Sequence, residues 1–371
     1  MPLTNLKIGI MGTRGIPNRY GGFEQFATML SAGLVQKGHT VGVYTPHNHP
    51  YDQPDWKGVQ LIRCKEPTRL GAAGQFFYDR NCLRDARKRP FDILLHLGYT
   101  SDSVWYRRWP ASSVNIVNMD GLEWKRSKYN RITRLFLKKA EALAARHADV
   151  LIADSPGIRE HLYHAYQKEA EYIPYAADIF SGAASSVLKQ LQLEPYSYLL
   201  LIARLEPENN IETVIQGWLR SGNALPLVIV GSTANKYGRW LKKKYQQAGI
   251  RFTEAIYDSF LLNNLRYYSH LYFHGHSVGG TNPSLLEAMA CSCTIAAHDN
   301  IFNKAILQDA GCYFTDAAGV TDAITHPPNE NKRRQWQAIN QQRIAGSFNP
   351  ELIISRYEQV MKEALARRQQ G

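Results

Sequence analysis

The chain opens on a short apolar run, "LKIGIMG" at 6–12, and then changes period. From 23 to 39, "FEQFATMLSAGLVQKGH" puts Phe26, Met29, Leu30, Leu34 and Val35 at helical spacing, which predicts an amphipathic helix closed by Gly38. "TVGVYT" at 40–45 reads as the next strand. Further strand-like runs lie at 91–98, 114–121 and 148–155, with helical patterns between or after them. Strands alternating with helices predict parallel sheet with helices on both faces.

The register starts again at "SYLLLIARL", 197–205. A helix "NIETVIQGWLRSG", a strand at 225–232 and a basic helix "KYGRWLKKKYQQAG" follow it. Strands near 250–254 and 271–275 come next, then a helix carrying Glu287 and the strand "CTIAAHD". The repetition predicts an α/β chain of two Rossmann-like domains, with the boundary near 178–195, where "DIFSGAASSVLKQLQLEP" is small and polar. A length of 371 residues also favours two cores over one. The tail at 349–368 reads as a helix with no strand after it.

Composition narrows the class. With 44% hydrophobic and 20% charged residues, wholesale disorder is not expected. No apolar run approaches the roughly 18–20 residues that span a bilayer. The start "MPLTNLKIGIMG" lacks a signal peptide's basic and long apolar regions, so a cytoplasmic protein is expected. The five cysteines include no C-x2-C pair; Cys291 and Cys293 read as small buried hydrophobes, and no metal, cofactor or disulfide is assigned. Net charge is +12, and 125–139, "KRSKYNRITRLFLKK", carries seven Lys or Arg among Ile132, Leu135, Phe136 and Leu137. Such a segment suits an anionic membrane surface or is a helix with a solvated basic face. RNA-binding aromatic signatures are absent, so nucleic acid is not an expected partner.

Ligands of open α/β sheets bind beyond the carboxyl ends of the strands, where the polar loops of this chain fall. In "GIMGTRGIPNRYGGFE", 9–24, the glycines are spaced GxxGxxG, and the second strand ends without an acidic residue, which argues against NAD. The loop presents Arg14, Arg19, Tyr20, Gly21 and Gly22, with Glu24 in the first turn of the helix; the plainer reading is a turn shaped by Gly and Pro. Arg204 stands just past a buried strand in "ARLEPENN", where its planar fork suits a diphosphate or a surface ion pair with Glu206 or Glu208. In "HGHSVGGTNPSLLEAMAC", 274–291, Asn282 is a good helix cap and Pro283 a natural first helical residue. Gly279, Gly280 and Thr281 then offer backbone amides at a helix's positive end. Glu287, a turn inside, suits a vicinal diol such as a ribose, although an ordinary cap followed by an exposed Glu explains the stretch equally well.

Taken together, Gly21-Gly22-Phe23-Glu24, "KGHTVGVYT", "ADSPGIREHL", "YIPYAAD", "ARLEPE", "IVGS" and "LLEAMAC" resemble the retaining glycosyltransferases of family 4 over nearly the whole chain. "GTRGIPNRYGGFE", "MDGLEWKRSKYNR" and "HGHSVGGTNPSLLEAMAC" look like a bacterial rhamnosyltransferase-type subgroup. The resemblance implies a GT-B fold, two Rossmann-like domains facing across a cleft. It implies an acceptor domain at 1–180, a nucleotide-sugar domain at 181–348 and a last helix, 349–371, crossing back to the first domain. It also implies metal-independent transfer with retained configuration, the leaving diphosphate taking the acceptor's proton. Arg204 would stabilise that diphosphate, with Gly279, Gly280, Thr281, Asn282, Glu287, Lys236 and Asn209 around the donor and Arg14, Arg19, Tyr20, Gly21, Gly22 and Glu24 around the acceptor. Asp120 in "NMDGLE" sits where family members carry a polar residue near the reacting centre; it orients or deprotonates the acceptor hydroxyl, or is simply a turn or cap aspartate.

Two positions depart from the family pattern. Gly279 replaces the first of two glutamates, the one that contacts the donor sugar, so sugar recognition is not carried over. Asn209 replaces a lysine that faces the diphosphate, and Lys236 is the candidate to replace its charge. The expectation is a cytoplasmic enzyme, peripheral on the inner membrane face, that moves rhamnose from dTDP-rhamnose onto a lipid-linked glycan precursor. A UDP-hexose transferase and a non-catalytic nucleotide-sugar-binding subunit are the alternatives.

Overall fold

A computed structural model describes residues 5–19, 21–71, 73–126, 129–246 and 248–370. The chain forms two compact units. One comprises Met1–Trp124, Arg131–Tyr175 and Pro350–Gly371, the other Lys125–Asn130 and Ala176–Asn349. The chain thus changes unit after Tyr175, ahead of the polar stretch at 178–195. The segment 125–130 groups with the second unit although elements of the first flank it.

The first unit contains β1 (Lys7–Met11), α1 (Gly22–Gln36), β2 (Thr40–Pro46), β3 (Asp55–Trp56), β4 (Val59–Cys64), α2 (Ala73–Ala86), β5 (Ile93–Leu97), β6 (Val114–Asn118), α3 (Arg131–His147), β7 (Val150–Ala153), α4 (Pro156–Tyr166) and β8 (Glu171–Tyr172). Its sheet runs β3-β4-β2-β1-β5-β6-β7-β8 and is parallel except for the β3–β4 pair. Every residue of β5 and β6 is buried, as expected for strands covered by helices on both faces. The β3–β4 hairpin turns on Lys57 and Gly58, at φ 49° and 80°; two adjacent left-handed residues match the twist of the strands they join.

The second unit contains β9 (Leu199–Ile202), α5 (Ile211–Ser221), β10 (Leu227–Val230), α6 (Lys236–Tyr245), β11 (Arg251–Thr253), α7 (Ser259–Tyr267), β12 (Leu271–His274), α8 (Pro283–Ala290), β13 (Ile295–His298), α9 (Ile301–Leu307), β14 (Cys312–Phe314), α10 (Ala317–Thr325) and α11 (Glu330–Ser347). Its sheet, β11-β10-β9-β12-β13-β14, is parallel throughout. Ile211, Val214, Ile215 and Trp218 of α5 pack on Leu201 and Ile229, which explains that helix's apolar stripe. In both sheets the chain builds outward from a central strand and then returns to the other side of it. The reversals fall between β1 and β5 and between β9 and β12, the places where such sheets bind ligands.

The last helix, α12 (Pro350–Gln370), groups with the first unit. Ile354 fills the space beside Gly33 of α1, and the Tyr357 ring lies 5.3 Å from that of Phe26. Asn118 at the end of β6 donates to the Tyr357 hydroxyl at 2.9 Å, and Glu358 lies 3.2 Å from His39 and 3.4 Å from Lys37.

One polar cluster lies inside the first unit. Asp79 of α2, 1% exposed, accepts hydrogen bonds from Ser101 and, at 3.0 Å, from Gln75. Burial, then the charge of nearby Asp102, pushes its carboxyl from 3.8 to about 8. The folded protein therefore keeps a proton that the unfolded chain releases, so this site lowers stability as pH rises from about 4 to 8 and is level above that. Asp79→Asn, which mimics the protonated acid, should gain on the wild type in urea denaturation between pH 5 and pH 9 by on the order of a few kcal/mol. An equal gap at both pH values would refute the assignment.

Candidate functional site

The loops at the reversal of the second sheet carry the donor residues expected from sequence. After β9 the chain passes Arg204 and a 3-10 turn, Pro207–Asn209, before α5; after β12 it passes Gly279–Asn282 before α8. The two loops meet along their backbones. The Asn209 carbonyl oxygen lies 2.1 Å from where a Cβ on Gly275 would stand, so no side chain fits at 275. Asn210 donates to the Gly275 carbonyl at 2.8 Å, and the Ser277 amide and hydroxyl donate to the Glu208 carbonyl at 3.1 and 2.8 Å. From the other side, Asn300 and Asn303 donate to the His276 carbonyl at 3.0 and 2.9 Å. His276, Gly279, Gly280, Asn282, Asn300 and Asn303 line a small cleft there. Asn300 is legible in the sequence only as the cap of α9, whose amides at Phe302 and Asn303 it accepts; its reach to His276 is not.

The cations divide. Arg204 is exposed, and among the described residues its side chain forms no ion pair. The pairing open to it at Glu208 is taken by Arg126, whose Nη1 lies 3.7 Å from Glu208 Oε1. Asn209 does not face outward. It is 5% exposed, and its amide donates to the Arg204 carbonyl at 2.7 Å, bracing the loop from within. Lys236 is the exposed first residue of α6, and its neighbour Asn235 ties it to the Arg204 loop by donating to the Leu205 carbonyl at 2.7 Å. His276 stacks on buried His274 with centroids 4.4 Å apart. Burial, then Arg204 and Arg126, pushes the His276 imidazole down to about 3, so it is neutral at ordinary pH.

The helix start expected at α8 is present. Asn282 accepts the Ser284 amide at 3.0 Å and Pro283 opens the helix. Gly279 has φ 140°, and no heavy atom comes within 4 Å of a Cβ there. Space would admit a side chain at 279, but the backbone conformation disfavours one, which is a local reason for glycine there. Glu287 has an internal partner. Its carboxylate accepts from Arg266, which is 2% exposed and also donates to Asn263 at 3.0 Å. An ion pair in the fold therefore engages the group expected to meet a diol.

In the first unit, Glu24 is 4% exposed and accepts the Arg14 amide at 2.8 Å. Burial raises its pKa, so it closes the loop after β1 from inside. Arg14 and Arg19 are exposed, Gly21 caps α1 and Gly22 begins it, whereas Tyr20 lies outside the described residues. Asp120 follows β6 at φ 43°, its amide donating to Asn118 Oδ1 at 2.9 Å and its carboxylate accepting from the Tyr175 hydroxyl at 3.0 Å. Its half-buried carboxylate stands just past the end of a strand. Glu141, 1% exposed, secures the loop that follows by accepting from Trp124 at 2.9 Å and Tyr166 at 2.7 Å. Among the described residues no group of His, Cys, Asp or Glu has the arrangement of a metal site.

Two parallel-sheet Rossmann-like units, each with its loops at a sheet reversal, define the fold as that of the GT-B glycosyltransferases. Residues 186–337 match the family model described as Glycosyl transferases group 1, so the second unit carries a domain of that group. Residues 111–178 match a model described as a domain of unknown function, DUF1972. No curated protein matches the chain. Sucrose-phosphate synthase from Thermosynechococcus elongatus is similar in structure at 17% identity, with a TM-score of 0.80 over 98% of this chain and 100% of that one. Anabaena HepE in complex with UDP and glucose is similar at 15% identity, with a TM-score of 0.74 over 96% and 98%. A glycosyltransferase from Rickettsia africae is similar at 11% identity, with a TM-score of 0.73 over 97% and 99%. At these identities the likeness is one of fold.

The Arg266–Glu287 pair generates a prediction. Glu287→Ala leaves a buried guanidinium without its counter-charge and should cost about 3–5 kcal/mol of stability. Chemical denaturation checks this, and a loss below 1 kcal/mol would mean that the pair is not holding α7 to α8.

Proposed function

We propose that the protein is a retaining, metal-independent glycosyltransferase that moves rhamnose from dTDP-rhamnose onto a lipid-linked glycan precursor. The observation that carries this reading is the pairing of Arg204 with the Gly279–Asn282 helix start at the reversal of the second sheet. Amides at a helix's positive end and an exposed guanidinium suit a diphosphate, and both stabilise it more as it departs with growing negative charge. In that reaction the bond from the sugar's anomeric carbon to the diphosphate oxygen breaks. The acceptor oxygen bonds on the same face, and its proton passes to the departing diphosphate. Asp120, on the first unit, orients the acceptor hydroxyl, and Arg14, Arg19 and the Gly21–Gly22 turn belong to the acceptor loop. The choice of rhamnose rests on the subgroup motifs. A second reading, a UDP-hexose donor, is favoured by the similar HepE structure that holds UDP and glucose.

Calorimetric titration with dTDP-rhamnose, UDP-glucose, UDP-N-acetylglucosamine and GDP-mannose separates the readings. Selective binding of dTDP-rhamnose, unchanged by EDTA and about 10- to 100-fold weaker in Arg204→Ala, is expected. Selective UDP-glucose binding would replace the first reading by the second, and binding of none would overturn both.

The lipid-linked acceptor implies work at a membrane surface, although among the described residues no helix is long and apolar enough to cross one. On α3, Ile132, Leu135 and Phe136 are 79%, 70% and 37% exposed, whereas Leu137 is buried. Phe136 lies 5.6 Å from Phe76 of α2, and Arg131, Arg134, Lys138 and Lys139 surround this apolar strip along the helix. The protein should sediment with phosphatidylserine vesicles at low salt and lose most of that binding by about 0.5 M salt, as screening shortens to a few ångströms. Salt-insensitive sedimentation would rule out the electrostatic attachment.

A further inference from the structure

We propose that Arg126 is the second cation of the diphosphate site, brought to the donor loops by the segment 125–130. The inference rests on the glycosyltransferase reading and adds a residue to its donor site.

The position where the family carries a second cation, Asn209, is neutral and bonded inward to the Arg204 carbonyl. Charge at the site must therefore come from elsewhere. Lys125–Asn130 lies between β6 and α3 of the first unit in sequence, yet groups with the second unit. Its Arg126 side chain, 15% exposed, stands 3.7 Å from the carboxylate of Glu208, which is 2% exposed. Glu208 belongs to the same turn as Asn209, and its carbonyl accepts both hydrogen bonds from Ser277 of the donor loop. Arg126 thus stands as a loose ion pair beside the seam where the Arg204 loop and the Gly279 loop are stitched together. The neutral His276 in that seam reports the same placement, since Arg204 and Arg126 are the two charges that act on it. Two guanidiniums flanking one seam suit the diphosphate of a nucleotide sugar, which carries one negative charge on each phosphate. The planar fork of arginine holds phosphate oxygens in pairs, as lysine cannot. The charge of Glu208 draws Arg126 to this place before the nucleotide arrives, which lessens the side-chain ordering that binding must otherwise impose.

A purely structural role, in which Arg126 serves only to neutralise Glu208, makes different predictions. The probes are UDP, dTDP, UMP and uridine, titrated by calorimetry into wild type, Arg126→Ala, Arg126→Lys and the double variant Arg126→Ala/Glu208→Gln. Arg126→Ala should weaken the better-bound nucleoside diphosphate about 10- to 100-fold, UMP by less and uridine hardly at all. Arg126→Lys should recover part of the loss. The double variant, which also removes the repulsion of the unpaired carboxylate, should recover part of the loss but stay well short of wild type, and the fall of affinity with salt should be shallower in Arg126→Ala than in wild type. Recovery of wild-type affinity in the double variant would overturn the inference, as would a single variant that binds UDP and dTDP normally. A wild type that binds neither diphosphate would overturn the proposed function and this inference with it; a wild type that binds while Arg126→Ala is unaffected removes the inference alone.

Discussion

Where the order of a parallel sheet reverses, the loops after two neighbouring strands leave toward opposite faces, and a gap opens beyond the strand ends. In the second unit that gap is bridged by backbone lying on backbone. The Asn209 carbonyl occupies the place of a side chain at Gly275, and Asn210 and Ser277 complete the seam from each loop. The arrangement uses main-chain polar groups that would otherwise be left without partners at the strand ends, so the groups that hold the loops are the ones the sheet leaves over. It sets where Arg204 stands relative to the start of α8. It also explains why small and polar residues dominate both loops: larger side chains would separate the two backbones.

The electrostatics of the seam follow from this packing. A neutral, partly buried histidine, a carboxylate with little exposure and two arginines lie along it, and the only carboxylate of α8 is occupied by Arg266. Negative charge nearby is therefore matched inside the protein, while Arg204 stays exposed. Excess positive charge so arranged suits an anion better than a neutral sugar.

The parts of the fold that depend on local period are legible in the sequence. The runs at 6–12, 40–45, 197–205 and 225–232 contain strands, and the helices α1 and α5, after β1 and β9, start and stop within a few residues of expectation. What is not legible depends on partners remote in sequence. The β3–β4 hairpin rests on a Lys-Gly turn flanked by only two paired residues on one side, too short for periodicity to register. Asn209 and Glu287 read as ligand contacts because residue type and spacing suit that role, but spacing cannot say that an amide turns back to a carbonyl or that a buried arginine on another helix claims a carboxylate. Arg126 reads as one of seven cations in a basic segment. Only the fold divides that segment, sending 125–130 to one unit and α3 to the other.

That the first unit takes its last helix from the far end of the chain has a consequence for how the protein is made. Ribosomes deliver the chain from its N-terminus at roughly 5–20 residues per second, so the whole of the second unit emerges before α12 does. Until then Phe26, the end of β6 at Asn118 and the groove beside Gly33 lack their cover of Ile354 and Tyr357. The unit synthesised first is completed last, and the apolar surface that waits for α12 is open to misassociation until that helix arrives.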